Sequence, residues 1–441
     1  GRMQQRLGQL AAAADSYLSY VVQFPDGSEA VDAAWTAANI AEWLDDPETA
    51  VSRYVAMAEQ FSWADNAAEA LFRAGWLSVS LGDSDTAVFL FQRVTEQHPI
   101  SEFGAAARLW LLRTLPTLST TELTVDLAPL SATLGITTPV TLAVQPLLNT
   151  TRQQVATSGR VDYYTLRAKD VVNSVSPFTA EIPFVVPAPD DGQAAAEVWL
   201  RSQLGLEEGY DVAALDATLA TDGRLVRGQK LWEIGRFDEA KRELETLRES
   251  VAGNALLSYQ LALFLRDLGL YRASIIAASS VLVQTGQTVF KAPKFIGRLT
   301  YPVYYADLVT AEAERYVYDP RLQFSLIRQE SLFESFATST AVAQGLSQVI
   351  PDTGTFIAQR LGWPDYQNDD LYLPYVGVIF GAYYIDLQLD SFDGYEHAAL
   401  AAYNGGPGNA ARWYTEAGGD LDRFVETVNF PETRRYIERI Y

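Results

Sequence analysis

Within the run LQFSLIRQESLF, Glu330 stands where a helix would place a core side chain. At about 100° per residue, Leu326, Ile327 and Phe333 fall within about 60° of it on a helical wheel. Desolvation raises a carboxyl pKa, and an acid that keeps its proton near neutral pH is what general-acid catalysis requires. The alternative is a core glutamate paired with an arginine such as Arg328 or Arg412. Few other catalytic chemistries are open to this chain. Having no cysteine, it can form no disulfide, no thiolate zinc site and no thiol nucleophile. Its two histidines, His98 and His397, belong to no ligand cluster, so neither a metal nor a cofactor is expected.

A second chemical stretch is AYNGGPG. The run AALAAY before it reads as helix, and Gly405, Gly406 and Pro407 stop that helix sharply, leaving Tyr403 and Asn404 at the turn. A phosphate-binding loop is excluded because no strand precedes the glycines and no lysine follows them.

The elements that must position these residues are helical. With 441 residues, two or three domains or a repeat array are expected, and 48% hydrophobic with 20% charged residues is ordinary for a globular protein. A formal charge of −22 argues against nucleic acid or an anionic membrane surface as partner. No stretch is apolar enough to span a membrane, and the N-terminal residues lack the apolar core of a signal peptide.

Residues 1–115 repeat at a spacing of 37, aligning Ala13 with Ala50 and Ala87, Tyr17 with Tyr54 and Phe91, and Asp46 with Asp83. A small residue followed four positions later by an aromatic is a packing device of helical-hairpin solenoids, so each unit is read as two helices, similar in kind to tetratricopeptide repeats. Residues 116–192 break the pattern. Eight of the 19 prolines lie between Pro116 and Pro189, which predicts an irregular insert or linker without long helices, with strands in pieces such as TAEIPFVV and one helix near Asp170. Residues 193–292 resume helical pairs at a spacing of 34, through Gly235 with Gly269 and Phe237 with Tyr271, and look more like tetratricopeptide repeats. Residues 293–441 are rich in Tyr and Gly turns between helices, where sites tend to be built.

Four segments of this last part, YPVYYADLVTAEAERYVYDPRLQFSLIRQES, STAVAQGLSQVIPDT, AALAAYNGGPG and FVETVNFPETRRYIERIY, resemble the soluble lytic transglycosylases of bacterial cell walls in order and spacing. The resemblance implies a mainly α protein, a helical solenoid followed by a lysozyme-like all-α catalytic domain. It implies cleavage of the bond between N-acetylmuramic acid and N-acetylglucosamine in peptidoglycan glycan strands, with a 1,6-anhydro product. On this resemblance Glu330 is the single acid and base, and the substrate's N-acetyl oxygen replaces a second carboxylate. It also implies an extracytoplasmic, cell-envelope location, with cell-wall proteins as candidate partners of the repeats.

Other positions carry over one by one. Ser339 matches a serine placed near the acid or the N-acetyl group, although a loop or cap serine would suit ATSTA equally. Gln348 matches a glutamine that contacts sugar. Tyr403 matches a tyrosine near the acid, and Asn404 one that secures the turn. Glu432 matches a glutamate that contacts peptide or sugar, with a plain helix-start acid as the alternative. Ser347 stands where the family has methionine packing at the groove, so a methionine is expected to be accommodated there. Two competing readings remain: a hydrolase similar to goose-type lysozyme, and a non-enzymatic solenoid scaffold with a degenerate terminal domain.

Overall fold

The computed structural model describes residues 1–135, 139–179 and 182–441. They form two compact units, Gly1–Thr179 and Ala180–Tyr441. Both are helical, and the described residues contain a single two-stranded sheet.

In the first unit, three consecutive hairpins pair Leu10–Gln23 with Ala30–Trp43, Pro47–Gln60 with Ala67–Ser80, and Ser84–Gln97 with Glu102–Thr114. The 37-residue spacing has a direct physical basis. Ala13, Ala50 and Ala87 are completely buried where helices approach closely, and Tyr54 and Phe91 fill the space beside them. Asp46 and Asp83 are N-caps, each accepting a hydrogen bond at 3.1 Å from the backbone N–H of Thr49 and Thr86 respectively.

The proline-rich segment is more regular than its composition predicts. Glu122–Val125 pairs antiparallel with Val140–Ala143. Val144–Thr157 is a 14-residue helix despite Pro146, because a proline in the first turn removes an N–H that has no intrahelical acceptor anyway. The helix expected near Asp170 runs Tyr163–Asn173. The strand expected in TAEIPFVV is absent among its described residues: Ile182 to Val186 pair with no other strand, and Pro183 and Pro187 interrupt the run. Ala180 and Glu181 of that stretch lie outside the described residues.

The second unit begins with Gln193–Gln203 and continues through the pairs Gly223–Glu233 with Phe237–Val251 and Ala255–Leu268 with Tyr271–Gln284. The matched glycines Gly235 and Gly269 both end helices with positive φ, 76° and 85°, which explains why the repeat is marked by glycine there. The chain then enters a cluster of shorter helices: Lys294–Thr300, Ala306–Tyr316, Pro320–Ser331, Pro351–Leu361, Pro374–Ser391, Glu396–Gly405, Pro407–Ala417, Leu421–Thr427 and Pro431–Ile440. Five of these begin with proline, preorganised for a first helical position. Pro374–Ser391 runs through the middle, with Val376, Val378, Phe380, Ala382 and Ile385 fully buried. It is the post against which the acid-bearing helix is fixed: Gln323, completely buried, donates its amide N–H to the Val378 carbonyl at 2.9 Å.

Candidate active site

Glu330 lies in the last turn of the helix Pro320–Ser331, which Asp319 caps by accepting from the Arg321 N–H at 2.8 Å. The helix ends one residue later, because Leu332 and Phe333 both take positive φ, 51° and 62°. Phe333 therefore does not share the helical wheel with Glu330, as the sequence predicts, but is nevertheless buried in the same apolar cluster as Ile327, Phe324 and Leu346. Ser331 fixes the end of the helix by donating to the Leu346 carbonyl at 2.8 Å.

The carboxyl of Glu330 accepts a hydrogen bond from the Tyr436 hydroxyl at 2.6 Å. Neither arginine considered from sequence pairs with it. Arg328 donates to the Thr300 carbonyl and lies 4.0 Å from the Tyr301 ring centre, and Arg412 faces Glu416. Burial pushes the Glu330 carboxyl from 4.5 up to about 7; the Tyr436 hydrogen bond pulls it down and the charge of Glu432 pushes it further up. Its place at a helix C-terminus, where the exposed carbonyl ends oppose negative charge, works in the same direction as burial.

Three of the residues singled out from sequence gather around this acid. Tyr403 and Asn404 lie within the last turn of the helix Glu396–Gly405 and not at a turn beyond it; Tyr403 donates to the Ser347 carbonyl at 2.8 Å and packs edge-on against Tyr384. Burial, with the nearby Glu330 charge, holds its phenol well above the usual range. Asn404 accepts from Thr433 Oγ1 at 2.6 Å, tying that helix to the first turn of Pro431–Ile440. Gly405 permits the approach, since a Cβ there would meet Thr433 Oγ1 at 2.9 Å. Glu432 is exposed in the same first turn and lies four residues before Tyr436, on the same helical face.

Gln348 and Ser339 shape the loop between the acid helix and Pro351–Leu361. Gln348, at φ 46°, donates its amide N–H groups to the carbonyls of Ala337 and Gly345, which leaves the amide oxygen as the group able to accept from a ligand. Ser339 accepts from the N–H groups of Ala341 and Ala343 and so closes its own turn. Among the described residues no hydrogen bond joins it to Glu330.

Ser347 corrects an expectation. It does not line a groove but is completely buried, donating to the Gly377 carbonyl at 2.8 Å, and a Cβ on Gly381 would come within 2.2 Å of its hydroxyl oxygen. Ser347, Gly377 and Gly381 are complementary, a small side chain meeting a small-residue face of the central helix. Tyr436 is the site residue that sequence reasoning missed. Its signal was the four-residue step from Glu432 in ETRRY. Among the described residues no group of three or more His, Asp or Glu side chains could hold a metal ion.

The family profile described as the transglycosylase SLT domain matches residues 307–423, a stretch that holds Glu330, Ser339, Gln348, Tyr403 and Asn404. This part of the chain is similar to SLT domains. Glu432 and Tyr436 lie just beyond the matched stretch, on the helix that closes over Glu330. A tetratricopeptide repeat profile matches residues 69–99, within the first block of repeats. The SLT region is 31% identical over 143 residues to the soluble lytic murein transglycosylase of Salmonella typhimurium, covering 32% of this chain and 22% of that protein. It is 35% identical over 137 residues to the membrane-bound lytic murein transglycosylase C of Actinobacillus pleuropneumoniae, covering 28% of this chain and 36% of that one. The aligned part thus spans well under half of either relative.

The fold extends the likeness beyond the SLT-like region. The lytic transglycosylase Slt of Pseudomonas aeruginosa, solved as an inactive glutamate-to-glutamine variant, superposes with a TM-score of 0.58 at 19% identity over 100% of this chain and 68% of its own. A 70-kDa soluble lytic transglycosylase in complex with bulgecin A gives 0.58 at 16% identity, over 98% of this chain and 64% of its own. The chain is accordingly mainly α, with tetratricopeptide-like helical repeats ahead of an all-α region similar to SLT domains.

Proposed function

We propose that the protein is a peptidoglycan lytic transglycosylase in which Glu330 acts as both acid and base. The observation that carries this reading is a half-buried carboxyl, raised to about 7 and held by a tyrosine hydroxyl, in the stretch that matches the SLT profile. Tyr436 donates to Oε1, which leaves Oε2 as the oxygen to carry the acidic proton. Protonated Glu330 gives that proton to the glycosidic oxygen as the bond to muramic acid breaks. The substrate's N-acetyl oxygen supports the positive charge at the anomeric carbon, the role a second carboxylate has in ordinary retaining glycosidases. Glu330, now a carboxylate steadied by Tyr436, takes the proton of the 6-hydroxyl, whose oxygen closes on the anomeric carbon to give the 1,6-anhydro ring. A pKa near neutrality suits both halves of this cycle, since neither protonation state is far from reach.

Gln348, through its amide oxygen, and Tyr403 are proposed to meet the sugars, Asn404 to secure the helix that carries Tyr436, and Glu432 to meet a peptide or sugar at the groove edge. Ser339 is assigned to the loop beside the site. Substrate and mechanism together imply an extracytoplasmic place of action in the cell envelope. Among the described residues no helix is long and apolar enough to cross a membrane.

Glu432 favours a second reading. Its charge reaches Glu330, so a second carboxylate is at hand, and in a hydrolase such a group could orient water. Mass spectrometry of muropeptides released from purified sacculi separates the two: an anhydro product is lighter than the hydrolytic one by one water.

A further inference from the structure

The turn that ends the acid helix is built from two consecutive non-glycine residues at positive φ, Leu332 and Phe333, a backbone that surrounding structure must hold in place. Much of what holds it comes from the helical repeats. Phe333 is 1% exposed and shares a cluster with Ile275 and Tyr271 of the helix Tyr271–Gln284. Phe336 packs against the cluster of Leu244, Leu247 and Trp232. Between these two aromatic anchors lies Glu334, 9% exposed, whose carboxylate pairs with Lys241 Nζ at 2.6 Å, and the same ammonium lies 5.4 Å from the centre of the Phe336 ring. Lys241 belongs to the helix Phe237–Val251, far from the SLT-like region in sequence. On the same helix Glu245 is engaged elsewhere, pairing with Arg248 and Arg272.

We propose that Lys241 is a positioning residue for Glu330. By neutralising Glu334 it keeps the Leu332–Phe336 turn buried against the repeats, and that turn fixes the last helical residues, the orientation of the Glu330 carboxyl and the apolar wall behind it. The repeats are thereby part of the reaction apparatus, although the sequence places the site-building turns in residues 293–441. This inference rests on the proposed role of Glu330.

The test uses the full chain and four variants: Lys241→Met, Lys241→Arg, the double variant Lys241→Met with Glu334→Gln, and Glu330→Gln as the blank. Turnover is measured on soluble glycan strands. The protonation of Glu330 is followed separately, without substrate, as the infrared carboxyl band lost in Glu330→Gln, with Tyr403, Tyr436 and Glu432 the ionisable groups facing it. Lys241→Met is expected to lower kcat by about tenfold or more with KM unchanged, since a small misplacement of a reacting group is enough for that. Its Glu330 midpoint is expected to fall by about one unit as water reaches the loosened wall. Lys241→Arg keeps the pairing, and the double variant leaves no unpaired charge, so both should restore kcat and midpoint.

A folded Lys241→Met protein that loses thermal stability but keeps the wild-type kcat and midpoint overturns the proposal. If Lys241→Met does not fold, Lys241→Gln, which removes the charge but keeps a hydrogen-bond donor, is read by the same two criteria: a lowered kcat and midpoint support the proposal and wild-type values overturn it. A wild type that cleaves no glycan contradicts the proposed function, while the infrared arm still tests the positioning.

Discussion

The hydroxyl of Tyr436 donates to Glu330 Oε1 at 2.6 Å, joining the last helix of the chain to the end of the helix that carries the acid, 106 residues earlier. This bond favours the carboxylate and so opposes the burial that raises the Glu330 pKa. Removing it in Tyr436→Phe should move the basic limb of the kcat/KM profile, set by loss of the Glu330 proton, to higher pH by about one unit. Turnover should fall about tenfold or more because the carboxylate stage loses its support. A basic limb that stays in place would mean that the hydroxyl does not act on the reacting carboxyl.

Glu330 also makes stability depend on pH. Its folded-state pKa of about 7 lies above the ordinary 4.5, so between these values the native state binds more protons than the unfolded chain and stability falls as pH rises. The full penalty, at most about 3 kcal/mol, applies above about pH 7. Glu330→Gln removes the ionisation. Its melting temperature should match the wild type near pH 4.5 and exceed it near pH 8, as read by thermal denaturation at several pH values. A constant difference across that range would contradict a half-buried, strained acid.

Ser347→Met should be destabilising. Its hydroxyl faces the Gly377 carbonyl, and the space beside it is shared with Gly381, so a longer side chain must displace the central helix. Overpacking of this kind costs about 1–3 kcal/mol, occasionally more. Ser347→Ala loses only a hydrogen bond and should cost about 1 kcal/mol. Chemical denaturation of both variants checks the order, and a methionine variant as stable as the wild type would mean that the side chain escapes toward the groove.

Thr433→Val removes the donor to Asn404 while keeping the shape of the side chain. The link it breaks joins the two helices that carry Tyr403 and Tyr436. Activity should drop more than stability, because about 1 kcal/mol of hydrogen bonding is small for the fold but the helix position sets the Tyr436 contact. Equal proportional losses in global stability and turnover would assign the bond to the fold alone.

Much of the fold was legible because its signals are local. Paired alanines and aromatics at helical spacing, Asp46 and Asp83 before their helices, and Gly235 and Gly269 after theirs each act within one or two turns. The proline-rich segment misled because proline count ignores position: Pro146 sits in a first turn, where it does no harm, and the hairpin Glu122–Val125 with Val140–Ala143 is joined across a helix. Glu330 stood out because a carboxylate in an apolar stripe is locally anomalous. Tyr436, Lys241 and the inward direction of Ser347 depend on helices that meet only in the folded chain, and no short-range pattern encodes them. The wheel that placed Phe333 beside Glu330 failed because two residues at positive φ end the helix first.

The central claim is that one carboxyl performs both proton transfers, and Glu330→Gln tests it most directly by removing the transferable proton while keeping shape and polarity. The measurement is release of 1,6-anhydro-muropeptides from purified sacculi, by mass spectrometry, for wild type and variant, with circular dichroism confirming the fold of each. The account predicts an anhydro product from the wild type and a loss of at least about ten-thousand-fold in the variant, the upper end of what general acid–base catalysis supplies. Comparable release by both proteins would contradict it.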